Sequence, residues 1–361
     1  MARFVCVECG HEYPDLGLPY VCPDCGGIFT VSDLVYEPIQ KQTIPGIWTY
    51  KSMMGVEHNP VCYLGEGQTA LVKREHNGID FLAKLESLNP SGSFKDRNSA
   101  IVTSFLKARG IQNVVEDSSG NAGASLALYS SGFGINAQIF VPAGTAGPKL
   151  DQIVACGARV EAIAGPRDNA HQAALAKLEI SESVYASHAM LPFGLAGYAT
   201  IAFEIFEQLG CLPGTVYCPI GHGSLFFGIL LGFKAICKHL GIDARPRMIG
   251  VQPERCSPLV SAWNHESFTP GNLGSLAEGT MVTNPARGKE ILQELVDGYD
   301  DLLAIAEEDI EPARLELARI GIYVEPTSAM VYSGLKMKKD SSSGINVLVF
   351  SGNGLKYANN K

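Results

Sequence analysis

Lys95 stands in LNPSGSFKDRNSA (residues 88–100), where a turn of Asn89, Pro90 and Gly92 leads into the apolar-periodic run Ile101, Val102, Phe105 and Leu106. That layout sets the lysine at a helix start. A lysine amine at its ordinary pKa of about 10.4 is protonated at neutral pH and is a poor nucleophile. Partly desolvated and placed against a carbonyl, it forms a Schiff base. Most lysines lie at the surface, so the reading depends on what accompanies this one. Three further turns do. In DSSGNAG (117–123) a strand gives way to two serines, a glycine and Asn121 before a helix. Backbone N–H groups at that helix start can bind a carboxylate, and Asn121 can present its amide to a ring oxygen. In CPIGHGSLFFG (218–228), Gly221, His222, Gly223, Ser224 and Leu225 join a strand to an apolar helix. Glycines there let N–H groups wrap a phosphate, helped by the helix dipole. In VLVFSGNGLK (347–356) an apolar strand delivers Ser351, a neutral hydroxyl suited to a pyridine nitrogen.

Each turn alone is also an ordinary capped helix or glycine turn. Together they supply the handles of pyridoxal 5'-phosphate with an amino acid attached. His222 either donates to the phosphate or contributes only its N–H. Glu325 reads as structural at a helix start, with a substrate role as the alternative, and His188 as a substrate-side candidate by position.

Four of the ten cysteines form a second constellation: Cys6 and Cys9, then Cys22 and Cys25, with Gly10 and Gly26 following each pair. Four thiolates at this spacing suit tetrahedral Zn(II) in a coordinatively closed, hence structural, site. An unmetallated relic and a redox dithiol pair are the alternatives. The other six (Cys62, Cys156, Cys211, Cys218, Cys237, Cys256) read as small core residues.

These residues need a scaffold, and 361 residues allow one large or two medium domains. A net charge of −9 argues against a nucleic-acid groove. The longest apolar run, Leu225 to Phe233, stops at Lys234, short of a membrane span. The start MARFVCVECG lacks a signal-peptide layout, and ten cysteines without an export signal point to reduced thiols in the cytoplasm. Residues 1–30 read as a ribbon too short for its own core, and 31–60 as a connection. A hairpin turns at Asn77-Gly78. From Lys95 onward strands and helices alternate, which predicts parallel sheets with helices on both faces. Helices are expected over 95–109, 121–131, 147–156, 167–179, 197–209, 224–239, 308–320 and 326–336. Strands are expected near Val114–Asp117, Gln138–Pro142, Thr215–Ile220 and Asn346–Phe350. SSSG at 341–344 reads as a loop.

NPSGSFKDR, SSGNAGAS, PIGHGSLFFG, VEPTSAM (324–330) and SGNGLK, in this order and spacing, resemble the threonine synthase group of the tryptophan synthase beta-like (fold type II) pyridoxal-phosphate enzymes. LGEGQTALV (64–72), AEGT (277–280) and the four-cysteine ribbon are also similar to features of that group, so the resemblance covers nearly the whole chain. It implies an α/β fold of two doubly wound parallel-sheet domains behind a zinc ribbon. The divisions expected are 1–30 for the ribbon, 31–94 with 211–361 for a large cofactor-binding domain, and 95–210 for a smaller carboxylate-binding one. It implies that Lys95 carries the cofactor and shuttles protons, and that Asn121 meets the cofactor's 3-hydroxyl. Gly221 to Leu225 would hold its phosphate and Ser351 its ring nitrogen. Ser118, Ser119 and Gly120 would take the substrate carboxylate. A homodimer acting on a small amino acid is expected, with no nucleic acid or membrane partner.

The chain also departs from the group. Threonine-forming members usually place an Asn-Pro and an arginine before the helix expected near 197. Here SHAMLPFGLAGYATIAFEI has no basic side chain from Ala189 to Thr200. Asn98 stands where glycine is common, His222 where asparagine is usual, and Ala70 replaces a proline. The leading activity is a lyase converting O-phosphohomoserine to threonine and phosphate. The runner-up is beta-elimination or beta-replacement on serine-type substrates, in the manner of a dehydratase or a cysteine or cysteate synthase. A catalytically inactive zinc-ribbon interaction protein is the reading from another class.

Overall fold

Apolar strands alternating with helices build two largely parallel sheets in the computed structural model, which describes residues 2–39, 44–56, 59–271, 274–338 and 344–358. The elements begin with β1 (Arg3–Cys6), β2 (Phe29–Ser32), a 3-10 helix (Gly46–Met53), β3 (Leu71–His76) and β4 (Ile79–Leu85). Then come α1 (Lys95–Ala108), β5 (Asn113–Glu116), α2 (Asn121–Gly132), β6 (Asn136–Pro142), α3 (Pro148–Ala155), β7 (Arg159–Ile163), α4 (Arg167–Glu179), β8 (Val184–Tyr185) and α5 (Phe193–Leu209). The rest are β9 (Thr215–Pro219), α6 (Ser224–Leu240), β10 (Arg247–Pro253), α7 (Pro258–Trp263), α8 (Gly288–Glu294), β11 (Asp301–Ile305), α9 (Glu307–Arg319), α10 (Pro326–Lys338) and β12 (Asn346–Phe350). Residues 341–343 of the expected SSSG loop lie outside the described residues.

The chain divides into two compact units, one of residues 1–67, 89–197 and 358–361, the other of 68–88 and 198–357. The dividing lines fall elsewhere than the expected 31–94 and 95–210. Glu66 shows why residues up to 67 go with the first unit. Its buried carboxylate accepts from Trp48 Nε1 (2.8 Å), Leu64 N (2.9 Å) and Tyr129 Oη (2.6 Å), which fastens the segment 46–66 to α2.

In the first unit the four-stranded sheet runs β7-β6-β5-β8, all parallel. Val115, Phe140, Ala170, Ala174 and Tyr185 form a core between it and α4. The ribbon, β1 paired antiparallel with β2, completes its small apolar side on the same unit. Phe193 stacks on Phe105 (ring centroids 3.7 Å) and meets Phe4 and Tyr13 edge-on at 4.9 and 4.8 Å. Arg109 donates to the carbonyls of Pro14 and Asp15.

In the second unit the six-stranded sheet runs β11-β10-β9-β12-β4-β3, with only β3 antiparallel. The β3–β4 hairpin turns through Asn77 and Gly78, both at positive φ (52° and 76°), as a tight Asn-Gly turn requires. Helix α10 packs on this sheet, with Met330, Tyr332 and Leu335 in one core with Tyr217, Val251 and Phe350. Helix α5 begins at Phe193 rather than near 197. Gly194 and Gly197, poor helix formers, obscure its first turn in the sequence. They are there for close approach: a Cβ at 194 would lie 2.1 Å from Asn98 Oδ1, and one at 197 would lie 2.4 Å from the Arg97 carbonyl.

Candidate active site

Lys95 is the first residue of α1. The preceding turn closes with Gly92 N donating to the Asn89 carbonyl at 2.7 Å, and Gly92 sits at φ 83°. Asp96, fully buried, accepts from Ser91 N (2.6 Å) and from Ser125 Oγ (2.5 Å). It therefore pins the turn and ties the start of α1 to the first turns of α2. Lys95 is itself half-buried. Its amine makes no hydrogen bond or ion pair with any described residue and lies 4.8 Å from the Phe94 ring centroid. Burial pushes the amine down to about 8; the Glu116 carboxylate opposes this and the Arg167 charge adds to it.

The loop 117–120 leaves β5 and enters α2 at Asn121, with Gly120 as the residue before the helix. Gly120 N donates to Ser118 Oγ at 3.3 Å. Gly123 keeps the loop tight, because a Cβ there would fall 1.8 Å from the Ser118 carbonyl oxygen. Beside the loop lies a pair the sequence reading only half anticipates. Glu116, 1% exposed, accepts from the backbone N–H of His188 and faces His188 Nδ1, both at 3.1 Å. Burial pushes the Glu116 carboxyl up. It pushes the His188 imidazole well below its ordinary value, and the Lys95 charge acts in the same direction. His188 was visible by position; Glu116, 72 residues away along the chain, carries no sequence signal.

In the second unit, β9 and β12 are neighbouring parallel strands, so the turns leaving their carboxyl ends emerge side by side. One holds residues 220–223 and the other Ser351. Gly223 precedes α6 at φ 97°. A Cβ on Gly223 would meet Ile291 Cδ1 at 2.6 Å, and one on Gly221 would meet the Gly279 carbonyl at 3.0 Å. Without side chains these positions leave a shallow cradle. The first N–H groups of α6, a 17-residue helix, have no carbonyl ahead of them within the helix. The donor set fits a phosphate. Gly279, in the AEGT loop, backs Gly221. The buried Arg287 backs the turn from behind, its N–H donating to the His222 carbonyl at 2.9 Å and its Nη1 to Glu290 at 2.9 Å.

Ser351 is 1% exposed. Its hydroxyl lies 3.0 Å from Ser328 Oγ and 3.4 Å from Glu325 Oε1. Gly352 N donates to Ser328 Oγ at 2.9 Å. Glu325, expected at a helix start or at the substrate, is a neighbour of Ser351, and Ser328 is a partner the sequence reading missed.

The four ribbon thiols gather as expected. Their sulfurs all lie within 4.8 Å of one another, with Cys6–Cys25 and Cys9–Cys25 at 3.4 Å and Cys9–Cys22 at 3.7 Å. Four sulfurs at about 2.3 Å from one tetrahedral Zn(II) stand roughly 3.8 Å apart, so the cluster has the size for a metal ion. Gly10 and Gly26, at φ 73° and 75°, close the two knuckles.

A family model described as pyridoxal-phosphate dependent enzyme matches residues 63–352. The chain belongs to that family. It is 33% identical to the threonine synthase of Methanosarcina acetivorans, covering 94% of this chain and 87% of that protein. It is 31% identical to the threonine synthase of Methanocaldococcus jannaschii, covering 92% and 86%. Within the family it therefore falls in the threonine synthase group. Among solved structures, threonine deaminase isoform 2 from Solanum lycopersicum superposes with a TM-score of 0.69 at 22% identity, over 89% of this chain and 95% of that one. That likeness carries the fold alone. The chain is thus a pyridoxal-phosphate-dependent, lyase-type enzyme of the tryptophan synthase beta-like fold, acting on a small amino acid. Among the described residues, no helix is long and apolar enough to cross a membrane.

Proposed function

We propose that this enzyme converts O-phosphohomoserine and water to threonine and inorganic phosphate. The observation that carries the reading is the Lys95 amine, buried enough to fall to about 8 and bonded to no acceptor among the described residues. Bound pyridoxal phosphate supplies an electron sink for charge developing beside the substrate's amino group. In this reading Lys95 Nζ carries the cofactor between turnovers, then takes and returns protons, a task suited to a pKa near the working pH. Ser118, Ser119 and Gly120 orient the substrate carboxylate, and Asn121 meets the cofactor's 3-hydroxyl. Gly221, His222, Gly223, Ser224 and Leu225 hold the cofactor phosphate. Ser351 offers a neutral hydroxyl to the ring nitrogen, with Ser328 and Glu325 holding it in place. In this reading the second unit supplies the partners of the cofactor's phosphate and ring nitrogen, and the first supplies Lys95, Asn121 and the carboxylate loop.

Cys6, Cys9, Cys22 and Cys25 hold one structural Zn(II). The spacing of their sulfurs supports this, and the site keeps no open position for substrate. A cytoplasmic homodimer with no nucleic acid or membrane partner completes the reading, supported by the net charge of −9 and the family resemblance.

Purified enzyme should release threonine and phosphate in equal amounts from O-phosphohomoserine. Lys95→Ala should abolish both products and the bound-cofactor absorbance while leaving the melting temperature unchanged. A coloured, active Lys95→Ala protein defeats the assignment. One observation favours beta-elimination or beta-replacement on serine-type substrates instead: residues 189–200 lack a basic side chain. Serine and O-phosphoserine turned over faster than O-phosphohomoserine would establish that reading.

A further inference from the structure

Residues 189–197, where the resemblance to the threonine synthase group implies an arginine, are closed in this chain. Ala189, Leu191, Phe193 and Leu195 are buried. Phe193 is committed to the aromatic cluster under the ribbon. At Gly194 the Asn98 amide fills the space a side chain would take, with Asn98 Oδ1 2.1 Å from where a Cβ would sit. Two departures from the group are therefore one packing arrangement. A phosphate on the substrate needs its counter-charge from another element, because a buried phosphate without one is strongly disfavoured.

Arg167 opens α4. In a sheet of parallel strands the β7–α4 connection leaves from the same carboxyl edge as the β5–α2 loop that holds Ser118 to Gly120. The turn into α4 is fixed by Asn169, whose N donates to the Pro166 carbonyl (3.0 Å) and whose Nδ2 donates to the Ala164 carbonyl (2.9 Å). One turn further along the helix, on the same face, His171 Nδ1 lies 3.3 Å from Asp117 Oδ2 and from Tyr185 Oη. Tyr185 in turn donates to Asp117 Oδ1 at 2.5 Å. This face of α4 is thus anchored on the residue preceding Ser118, and Arg167 lies a turn closer to the helix start. Its side chain is exposed and makes no ion pair or hydrogen bond with any described residue. Its charge reaches both the Lys95 amine and His188. The nearby acids are otherwise engaged, Glu116 with His188 and Asp117 with Tyr185 and His171. Asp168 stands beside Arg167 in the first turn of α4.

We infer that Arg167 is the side chain that receives the distal phosphate of the substrate, in place of the cation missing from residues 189–200. The inference rests on the threonine-forming reading above. A guanidinium matches phosphate with two parallel donors, which an ammonium does not, and an unpartnered one has no existing bond to give up.

The test compares Arg167→Met and Arg167→Lys with the wild-type holoenzyme. Arg167→Met should raise KM for O-phosphohomoserine about 10- to 100-fold, the size of a lost charged hydrogen-bond pair. Its kcat should stay within a few-fold, and Arg167→Lys should fall between. Calorimetric titration should show inorganic phosphate binding weakened to a similar degree in Arg167→Met, with homoserine binding unchanged. Because the side chain holds no other residue, the melting temperature should not move. If the wild type makes threonine and Arg167→Met keeps its KM, the role of Arg167 is overturned and the activity stands. If the wild type makes no threonine, the activity reading fails and the phosphate titration decides alone. Unchanged phosphate affinity in Arg167→Met then removes the site, and weakened affinity retains it.

Discussion

Lys84 and Lys95 are held in opposite ways in this protein. Lys84, in β4, is wholly buried, and all three of its protons are matched. It donates to Glu204 Oε2 at 2.6 Å, the Thr69 carbonyl at 2.9 Å and Gln208 Oε1 at 3.1 Å. Glu204 also accepts the Gln68 N–H, and Gln208 donates to the same Thr69 carbonyl. Lys95 opens α1 with no acceptor among the described residues, an aromatic ring beside it and a carboxylate within electrostatic reach only. A fully bonded ammonium in a low-dielectric interior keeps its proton and cannot attack anything. An enclosed one without acceptors gives its proton up near neutral pH. Burial alone does not make a reactive lysine; burial without partners does.

The largest effect that sharpens this contrast is on stability. Lys84→Met leaves Glu204 charged and buried without its cation, which should cost about 3–5 kcal/mol. The double substitution Lys84→Met with Glu204→Leu should recover most of that. Lys95→Ala removes a charge that nothing pairs with and should cost little. Urea denaturation of the cofactor-free proteins measures all three. Equal losses for Lys84→Met and Lys95→Ala would erase the distinction.

A smaller effect comes from the ribbon. If the four thiols hold the proposed zinc, chelation should release one zinc per chain and lower the melting temperature, because the metal would tie the two cysteine knuckles together. A shift below about 2 °C contradicts a structural role. Lys95 should titrate as before, since the ribbon touches α1 through Phe105 and Arg109 at its far end.

Much of this was legible in the sequence because it is local. Strand β12 falls on Asn346–Phe350 as expected, and the Asn77-Gly78 turn and the glycine turns after β5, β9 and β12 stand where their backbone demands placed them. The four cysteines were legible because metal spacing is itself a short-range pattern. What escaped is what the fold brings together from afar. Lys84 and Glu204 are 120 residues apart, and Glu116 and His188 are 72. Nothing in the alternation of apolar residues announces such pairs. The segment before α5 read simply as lacking an arginine. Only the packing of Asn98 against Gly194 shows that its space is taken, and only the anchoring of α4 on Asp117 points to Arg167.

The central claim is that Lys95 is set apart by its missing acceptors. Competitive labelling of amines in the cofactor-free protein, read by mass spectrometry across pH, tests it directly. The folded pKa lies below the unfolded value of about 10.4. The buried charge therefore destabilises the fold below about pH 8, and this penalty is relieved as pH rises from there toward the unfolded value. Labelling of Lys95 should rise with a midpoint near 8, below that of the exposed lysines, while Lys84 stays unlabelled as long as the protein is folded. A Lys95 midpoint with the exposed lysines, or a Lys84 that labels as readily as Lys95, would contradict the account.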